Sequence, residues 1–360
     1  MQSGFWSKLA KPIIGLSPMD GVTDHPFRHL TKKHGQPDVL YTEFATVEGF
    51  CRGVEKPLTD FLYDETQRPI VAQIYGTTPD FFRQTTIALC QLGFDGVDIN
   101  MGCPAKSVSQ SGAGAGLIRT PELAQKIVLA AKKGVEEWQN GLTVRDCPDL
   151  TPEICQIIED RQQKLPAIYQ QHQRPIPVSV KTRVGYDQPV TKDWMKTLLA
   201  VKPAAIALHG RTLRQAYTGF ASWEEIAKAA KIVKDQNPEI IFLGNGDVHS
   251  NQEAREKIKD FGLDGVLIGR ASFGNPWIFQ TDDPEISIEQ RASLALEHSL
   301  LYEQTYRHDE RYRFLPMRKH LTWYIKNFPN ASDIRVQLVQ TESSEQVKTI
   351  LTESGLLPHQ

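Results

Sequence analysis

The alternation of short apolar runs with helical segments predicts an α/β protein, a (β/α)8 TIM barrel followed by a C-terminal helical domain. Three observations support this prediction. β-Branched apolar runs recur through most of the chain, each followed by Gly, Pro or polar residues and then by a segment of helical period. Eight such units occupy roughly 280 residues, the size expected of this barrel. The strand runs then stop, and the remaining sequence is helical.

The eight strand candidates are short runs rich in β-branched residues, and each ends in a turn signal. They span residues 13–17, 39–42, 70–74, 96–99, 178–181, 205–208, 240–243 and 265–268. Helices are predicted between them, several preceded by a Ser, Thr or Asn cap. The helical candidates are residues 79–92, 121–138, 191–201, 222–234 and 251–261.

We assign residues 1–283 to the barrel and residues 284–360 to a helical tail, because the helical segments 287–307 and 315–328 follow the last strand run. Residues 143–177 lengthen the link before the fifth strand, and we expect this insertion to carry its own helix. Helix-to-strand links lie at the end of a barrel opposite the active site. The insertion is therefore expected to serve stability or a partner.

Composition excludes several classes of protein. A chain of 360 residues with 40% hydrophobic content can bury a large core. A net charge of -2 excludes a wholly basic nucleic-acid coat, an acidic disordered chain and a polybasic membrane binder. Five cysteines without a CxxC pair argue against a disulfide scaffold. Lacking a signal-like start or an apolar run of about 18 residues, the sequence predicts a cytoplasmic protein, by default a monomer.

The polar residues that end each apolar run are expected to carry the chemistry. In such barrels the catalytic residues project from the carboxyl ends of the strands, which we call the mouth. These polar segments are residues 17–21, 73–76, 100–104, 181–183, 209–212, 244–247 and 269–270. The sequence thus predicts one site at the mouth.

Two of these segments suit a phosphate group. The Gly-Asn-Gly-Asp run at 244–247 and the Gly-Arg pair at 269–270 follow strands seven and eight. Glycines there let backbone N–H groups approach an anion, and Arg270 could add two parallel hydrogen bonds. Tight-turn geometry alone is the alternative explanation.

Gln73, Lys181 and His209 lie at the ends of otherwise apolar strands. Placing such groups inside the mouth costs free energy of desolvation unless a ligand satisfies them, as a flat heteroaromatic cofactor would. The alternatives are a salt bridge at the rim for Lys181 and a hydrogen-bonded core position for His209.

Cys103 lies in a Gly-Cys-Pro turn that precedes the glycine-rich run 110–116, which predicts a thiol on a mobile loop. A thiol of pKa about 8.5 is mostly protonated at neutral pH, so it can act as a general acid, or as a nucleophile after deprotonation. An inert buried thiol is the alternative. Cys147, Cys155 and the distant His172 form a poor metal-ligand pattern, so we expect no metal site.

In their order along the chain, these segments resemble those of the tRNA-dihydrouridine synthases, flavoenzymes that reduce uridine in tRNA to 5,6-dihydrouridine. The resemblance covers nearly the whole chain, and the ordered set is more specific than any one member. In the tail, residues 317–320 with Trp323 and Tyr324 resemble the family's tRNA-binding helical domain. The barrel segments are 16–24, 71–76, 96–106, 180–183, 209–212, 215–219, 244–247 and 265–270.

The resemblance implies FMN as the cofactor. It places three residues at the isoalloxazine ring, Pro18, Met19 and Gln73. Lys181 and His209 would hold the polar edge of the flavin and its ribityl chain. The phosphate end would be held by Asn245, Gly246, Asp247, Gly269 and Arg270. We add Asp20 to the cofactor site, although many family members carry a small residue or Glu there.

The resemblance also implies a ping-pong mechanism, in which NADPH reduces FMN and the reduced flavin transfers a hydride from N5 to C6 of a uracil. Cys103 would then protonate C5. The target uridine is expected to be flipped out of the tRNA fold. Asn100 is the candidate that orients the uracil edge, and the candidates for contact with the phosphate or ribose are Lys106, Arg183 and Arg211.

The tail has a basic and aromatic composition that suits RNA. Residues 306–326 contain six Lys or Arg against two Asp or Glu, a local net charge of +4, with aromatic residues between them. Arg318 and Lys319 are our candidates for tRNA contact. An ordinary helix with a solvated basic side and an aromatic core stripe is the alternative.

Two other functions compete with this one. A dihydroorotate or dihydropyrimidine dehydrogenase-like flavoprotein would share the FMN, a similar cysteine loop and the pyrimidine C5–C6 chemistry. The segments 209–212 and 215–219 and the basic tail argue against it. An RNA-binding protein that has lost catalysis is the third hypothesis, which the presence of Cys103, Lys181 and the two phosphate turns opposes.

Overall fold

Eight parallel strands form the centre of the computed structural model, which describes residues 4–216, 218–282 and 284–358. Around the sheet the order is β1-β8-β7-β6-β5-β4-β3-β2. Backbone hydrogen bonds between β1 and the start of β2 close the sheet, from Leu16 N to Val39 O (3.0 Å) and from Asp38 N to Ile14 O (3.0 Å). The predicted barrel is confirmed. Its strands are β1 (Ile13–Leu16), β2 (Leu40–Thr46), β3 (Ile70–Tyr75), β4 (Gly96–Met101), β5 (Val178–Gly185), β6 (Ala205–Thr212), β7 (Ile241–Asn245) and β8 (Gly265–Ile268).

Several strands extend further toward the mouth than their apolar runs. Strands β5 and β6 continue through Arg183 and Arg211, where Arg183 pairs with His209 across the ladder. Ladder hydrogen bonds join backbone groups, so polar side chains do not end a strand by themselves. The extension places these side chains inside the mouth.

Helices connect the strands and cover the outside of the barrel. Helix α1 follows Asp24, whose side chain accepts a hydrogen bond from Phe27 N (2.9 Å), a cap that the sequence analysis did not use. Short helices in the loops were also missed. The helices of the barrel are α1 (His25–Gly35), α2 (Val47–Cys51), α3 (Lys56–Asp60), α4 (Pro79–Gln91), α5 (Lys106–Gln110), α6 (Pro121–Gln139), α7 (Pro152–Gln162), α8 (Thr191–Ala200), α9 (Trp223–Gln236) and α10 (Asn251–Phe261).

The lower interior of the barrel is filled by apolar side chains. Tyr41, Val71, Leu243 and Leu267 are buried there in one cluster with Trp6, which comes from the 3-10 helix Gly4–Lys8. Layers of inward side chains are what make such a barrel solid rather than hollow. The polar mouth therefore lies on a closed apolar floor.

At the amino ends of the strands, aspartates cap the neighbouring strand. Asp38 accepts a hydrogen bond from Ile14 N (2.7 Å), Asp95 from Ile70 N (2.8 Å) and Asp264 from Phe242 N (2.7 Å). Asp264 also forms ion pairs with Lys11 (2.5 Å) and Lys234. These contacts satisfy backbone donors that the ladder leaves free at a strand start.

Residues 143–177 contain helix α7 and two 3-10 turns, Val144–Asp146 and Ala167–Gln170. Ile154, Cys155 and Ile158 of α7 are buried, and the segment packs on α4 through a hydrogen bond from Gln84 Nε2 to Asp149 Oδ2 (2.6 Å). The segment covers the outside of the barrel.

The described part of the tail, residues 284–358, contains four helices with their own apolar core. It packs on α1, where Phe27 contacts the rings of His298 and His320. The end of the predicted barrel, Asp283, lies outside the described residues, so the division at 283/284 stays a prediction. The tail helices are α11 (Ile288–Tyr306), α12 (Leu315–Tyr324), α13 (Ala331–Leu338) and α14 (Ser344–Glu353).

Candidate functional site

A cavity of about 970 Å³ opens at the mouth of the barrel. Nearly all of the residues predicted from the sequence line it, and only Lys106, Arg318 and Lys319 do not. Among the predicted lining residues are Pro18, Met19, Asp20, Gln73, Asn100, Cys103, Lys181, Arg183, His209, Arg211, Asn245, Gly246, Asp247, Gly269 and Arg270.

Three side chains on β3 and β4 form a buried hydrogen-bond chain beneath the cavity. Gln73 Nε2 donates to Asp98 Oδ2 (2.7 Å), and Asn100 Nδ2 donates to Gln73 Oε1 (3.0 Å). Ser179 also donates to Asp98. Burial raises the pKa of Asp98 to about 6. These hydrogen bonds fix the amide of Gln73 at the cavity wall. Asp98 sets its orientation, a role that the sequence analysis missed.

Lys181 places a cation deep in the mouth. Its Nζ donates to Asn245 Oδ1 (3.1 Å), and Asn245 Nδ2 donates to Leu267 O (2.8 Å). Burial and the nearby Arg183 cation lower the pKa of Lys181 to about 8. Among the described residues this amide oxygen is the one hydrogen-bond acceptor of the ammonium, which retains two further donor positions for a polar ligand in the cavity.

A charged group lies beside the turn after β7. Arg211 NH2 donates to both carboxylate oxygens of Asp247 (2.9 and 2.7 Å), and Arg270 NH2 contacts the same carboxylate (3.1 Å). Burial opposes ionisation, but the Ala221 N–H and Arg211 hydrogen bonds lower the pKa of Asp247 overall. Burial among these cations lowers the pKa of His209 well below its usual range, so the imidazole is neutral. Two guanidiniums against one carboxylate leave this corner positive.

Gly246 lets the chain pass close to the cavity. Its φ is +121°, and a Cβ at this position would lie 2.6 Å from the Cβ of Ala221 and 2.9 Å from the ring of His209. Only glycine fits both the angle and the space. The backbone can therefore approach a ligand here, as the sequence predicts for a phosphate turn.

Cys103 is buried, with 8% of its surface exposed, at the edge of the cavity. Asn100 Oδ1 holds its turn by accepting hydrogen bonds from Gly102 N (3.0 Å) and Cys103 N (2.9 Å). In the predicted mobile run 110–116, Gln110 ends α5, residues 111–113 form a short connection, and residues 114–116 begin the 3-10 helix Gly114–Arg119. Burial raises the pKa of the Cys103 thiol, and the negative charge of Asp20 adds to the shift. The thiol is therefore protonated at neutral pH.

Arg183 is 3% exposed and joins the loops around the mouth. It donates to Gly102 O (2.6 Å) and Thr212 O (3.1 Å), so it ties the loop of Cys103 to the end of β6. The sequence analysis expected a nucleotide contact for this residue. The structure gives it a positioning role within the protein, and the nucleotide contact stays a prediction.

The remaining predicted residues lie outside the cavity. Lys106 is exposed at the start of α5, and Arg318 donates to Thr341 O (3.0 Å) within the tail. Lys319 reaches across from α12 to donate to the carbonyl of Gly21, in the loop after β1. Lys319 thus connects the tail to the mouth.

Sequence analysis missed two aromatic residues near Cys103. Phe44 and Tyr75 pack edge to face, with ring centroids 5.3 Å apart, and both contact the buried cluster of Cys103 and Val108. Phe44 lies in β2 beyond the predicted end at residue 42. The apolar pair Phe44 and Ala45, close behind the predicted run, was the available sequence signal. Tyr217, in the segment 215–219, lies outside the described residues.

Over residues 4–216, 218–282 and 284–358, no group of three or more His, Cys, Asp or Glu side chains is arranged to hold a metal ion. Within the same ranges no helix has the length and apolarity needed to cross a membrane.

Comparison with known sequences identifies the family. A family model described as dihydrouridine synthase matches residues 15–145 and 150–356. The chain belongs to the dihydrouridine synthase family. A probable tRNA-dihydrouridine synthase of Staphylococcus aureus is 33% identical over 357 residues, which is 98% of this chain and 96% of the relative. A probable tRNA-dihydrouridine synthase 2 of Bacillus subtilis is 32% identical, with the same coverage of both chains.

The dihydrouridine synthase chain was also compared with solved structures. The DHODH of Eimeria tenella, crystallised with ferulenol, has a TM-score of 0.49 and 12% sequence identity. The similarity covers 74% of this chain and 78% of that one.

Proposed function

We propose that this protein reduces the C5–C6 double bond of specific uridines in tRNA to 5,6-dihydrouridine, with FMN as cofactor and NADPH as reductant. One observation beyond the family carries the proposal. The protonated thiol of Cys103 faces the same cavity as the cation of Lys181 and the glycine turn at Gly246. A proton donor and a site for a polar, anionic cofactor thus share one chamber.

The cavity residues fit FMN. Lys181 offers a desolvated cation, and Gly246 offers open backbone beside the positive corner at Arg270. The isoalloxazine would lie against Pro18, Met19 and Gln73, close to Asp20, with its polar edge at Lys181 and its ribityl chain at His209. The phosphate would be held by Arg270 and by residues of the turns that contain Asn245, Gly246, Asp247 and Gly269.

Asp247 would act on the phosphate indirectly. Its carboxylate is already bound by Arg211 and Arg270, so an anion meets the guanidinium of Arg270 rather than the acid. Asp247 therefore holds Arg270 in place, and it also binds Arg211, whose contact with the phosphate or ribose of the nucleotide stays a prediction.

When bound, FMN supplies to C6 of the uracil a hydride that it has received from NADPH. The thiol of Cys103 then donates its proton to C5, so that hydride and proton together saturate the double bond. A buried thiol with a raised pKa retains its proton until the carbanion at C5 needs it. Solvent returns a proton to the thiolate after release of the product.

Asn100 positions the acid and reaches the substrate. Its oxygen holds the backbone of Cys103, and one of its two amide hydrogens is bound to Gln73. The second hydrogen is free to meet a uracil carbonyl. Asn100 thus links the placement of the base to the placement of the acid.

The target uridine must leave the tRNA fold to enter this cavity, because C5 and C6 of a stacked base are covered. Outside the cavity, Lys106, Arg318 and Lys319 would contact the RNA. Arg183 lies behind the loop of Cys103 and would contact the nucleotide from there. We also propose that the protein acts in the cytoplasm as a monomer.

The test is mass spectrometry of tRNA that lacks modifications, incubated with the purified protein and NADPH. We expect bound flavin in the absorption spectrum and new dihydrouridine in the RNA, absent with Cys103→Ala. A protein that binds no flavin would contradict the proposal. So would a flavoprotein that is inert on every tRNA but oxidises free dihydroorotate.

A further inference from the structure

Phe220 is an aromatic side chain left in solvent at the edge of the mouth. It is 88% exposed, and within the described residues no other Phe, Tyr or Trp side chain falls in the exposed class. It follows Gly219 in the loop between β6 and α9. Scattered apolar residues on a surface are normal, so the position of this ring must decide whether it has a role.

The backbone on both sides of Phe220 is fixed to the cavity wall. Arg211 NH2 donates to Gly219 O (2.6 Å), and Ala221 N donates to Asp247 Oδ2 (2.8 Å). Both Arg211 and Asp247 line the cavity. The ring is therefore held at the rim on an anchored stretch of chain, and a ligand that contacts it pays little ordering entropy.

The surroundings of the ring suit a single flat ligand group rather than a protein surface. Thr218 and Gly219 beside it are exposed and lack apolar side chains, so within residues 218–220 the ring is the only apolar side chain in solvent. Arg214 on the same loop is 78% exposed at its side chain, although it pairs with Asp187 at 3.5 Å, and Arg270 is 54% exposed. An exposed aromatic ring on a rim that also carries exposed cations is an arrangement that binds a base of single-stranded nucleic acid.

We propose that Phe220 stacks on an unpaired nucleobase that flanks the target uridine. This inference rests on the proposed function, since it takes tRNA as the substrate. When the uridine turns into the cavity, its neighbour in the RNA loses a stacking partner. Phe220 stands at the rim of the cavity and replaces that partner. It is a positioning residue, because it touches RNA outside the reacting uracil.

The test compares steady-state kinetics of Phe220→Ala with the wild type on a tRNA transcript. We expect the KM for tRNA to rise about tenfold, the effect of losing one aromatic–base stack, with kcat at saturating tRNA unchanged. The rate at which NADPH reduces the bound flavin should also stay unchanged. Because the side chain is exposed, the melting temperature should match the wild type.

Three further variants define the contact. Phe220→Trp should retain the wild-type KM, whereas Phe220→Leu should behave like Phe220→Ala, since leucine is apolar but has no flat face. Leu129→Ala, which removes a 52% exposed side chain from α6, is the matched control and should change nothing. An unchanged KM in Phe220→Ala, or full rescue by leucine, would overturn the inference. Slower flavin reduction by NADPH with normal tRNA kinetics would overturn it too.

Failure of the proposed function would show separately. In that case the wild type forms no dihydrouridine in any tRNA. The stacking inference is then tested directly by fluorescence anisotropy with labelled tRNA, where Phe220→Ala should bind about tenfold more weakly than the wild type. Equal binding of the two proteins would contradict it.

Discussion

The two ends of the barrel use buried charge in opposite ways. At the amino ends, Asp38, Asp95 and Asp264 each accept a hydrogen bond from the backbone N–H of a neighbouring strand, and Asp264 adds two lysine partners. At the mouth, the amide of Asn245 is the one hydrogen-bond partner of Lys181 within the described part of the chain, and His209 is surrounded by cations. The first set completes the fold, whereas the second lines an open cavity.

The difference shows how one sheet separates stability from chemistry. Charges at the amino ends are satisfied within the protein, so removing them should lower the free energy of unfolding. Charges at the mouth are desolvated and incompletely paired, a state that costs free energy unless a ligand binds. Perturbed groups of this kind mark functional sites, so changes there should affect binding and catalysis more than stability.

The largest effect should come from Cys103→Ala. Loss of the acid should slow dihydrouridine formation by about 10² to 10⁴-fold, the usual contribution of a general acid. NADPH-driven reduction of bound flavin should continue at the wild-type rate, which stopped-flow absorbance measures. Cys155→Ala, which alters a buried thiol in α7, is the control and should retain activity. Equal loss of activity in both variants would mean that thiol burial, not proton donation, matters.

At the opposite end, Asp264→Ala should cost about 3 kcal/mol of unfolding free energy, because Lys11 and Lys234 lose their carboxylate partner and the Phe242 N–H loses its acceptor. Urea denaturation measures this loss, and kcat of the folded protein should stay unchanged. Its partners lower the pKa of Asp264, so its contribution is present above the ordinary aspartate range and is lost as the pH falls through the depressed value. A fall in the kcat of Asp264→Ala with unchanged stability would contradict the purely structural role of charges at the amino ends.

Lys181→Met should weaken FMN binding by about 2 kcal/mol, roughly 30-fold, because a charged hydrogen bond to the cofactor is lost. Stability of the protein without cofactor should stay the same or rise, since a desolvated cation is removed. Flavin fluorescence titration and urea denaturation give the two quantities. If the variant lost stability and kept its FMN affinity, Lys181 would belong with the structural charges.

The same lysine predicts a pH dependence. Its pKa is lowered to about 8 in the folded protein, below that of the unfolded chain. Above pH 8 the folded protein without cofactor loses this proton first, so its stability should rise with pH up to the unfolded pKa of about 10.4. FMN affinity should fall over the same interval as the cation is lost. Both trends should be absent in Lys181→Met.

The smallest effect should come from Asp38→Ala. This residue caps only Ile14 N and has no ion pair within 4 Å among the described residues, so about 1 kcal/mol of stability should be lost. Thermal unfolding followed by circular dichroism measures it. We expect the loss of unfolding free energy to be largest for Asp264, smaller for Asp38 and smallest for the mouth residues. This order tests whether the number of partners of a charged group sets its contribution to stability.

The sequence predicted the strands because apolar runs and turns are local signals. It also placed Cys103, Lys181 and Gly246 at one cavity, since their position after a strand fixes the end of the barrel they face. What it missed depends on contacts between distant segments. Asp98 looks like one polar residue in an apolar run, and only the fold brings it to Gln73.

Burial was the harder quantity to predict. A glycine-rich segment suggested a mobile loop around Cys103, yet Gly114 has a φ of +55° and packs where a Cβ would lie 3.2 Å from that of Cys103. The glycines there permit close packing rather than motion. Likewise, the sequence predicted contacts with the nucleotide for Arg183 and Arg211 but not their burial, and both are nearly fully buried against backbone carbonyls.

The contact between Lys319 and the carbonyl of Gly21 fixes the distance between the helical tail and the loop after β1. In that loop, Asp20 and Met19 precede Gly21 and line the cavity. Helix α1 joins that loop directly to the ring contacts beneath the tail. An RNA bound by the tail would therefore be held at a fixed distance from the cavity. The nucleotide that reaches Cys103 would then be selected by its distance along the RNA rather than by the bases around it.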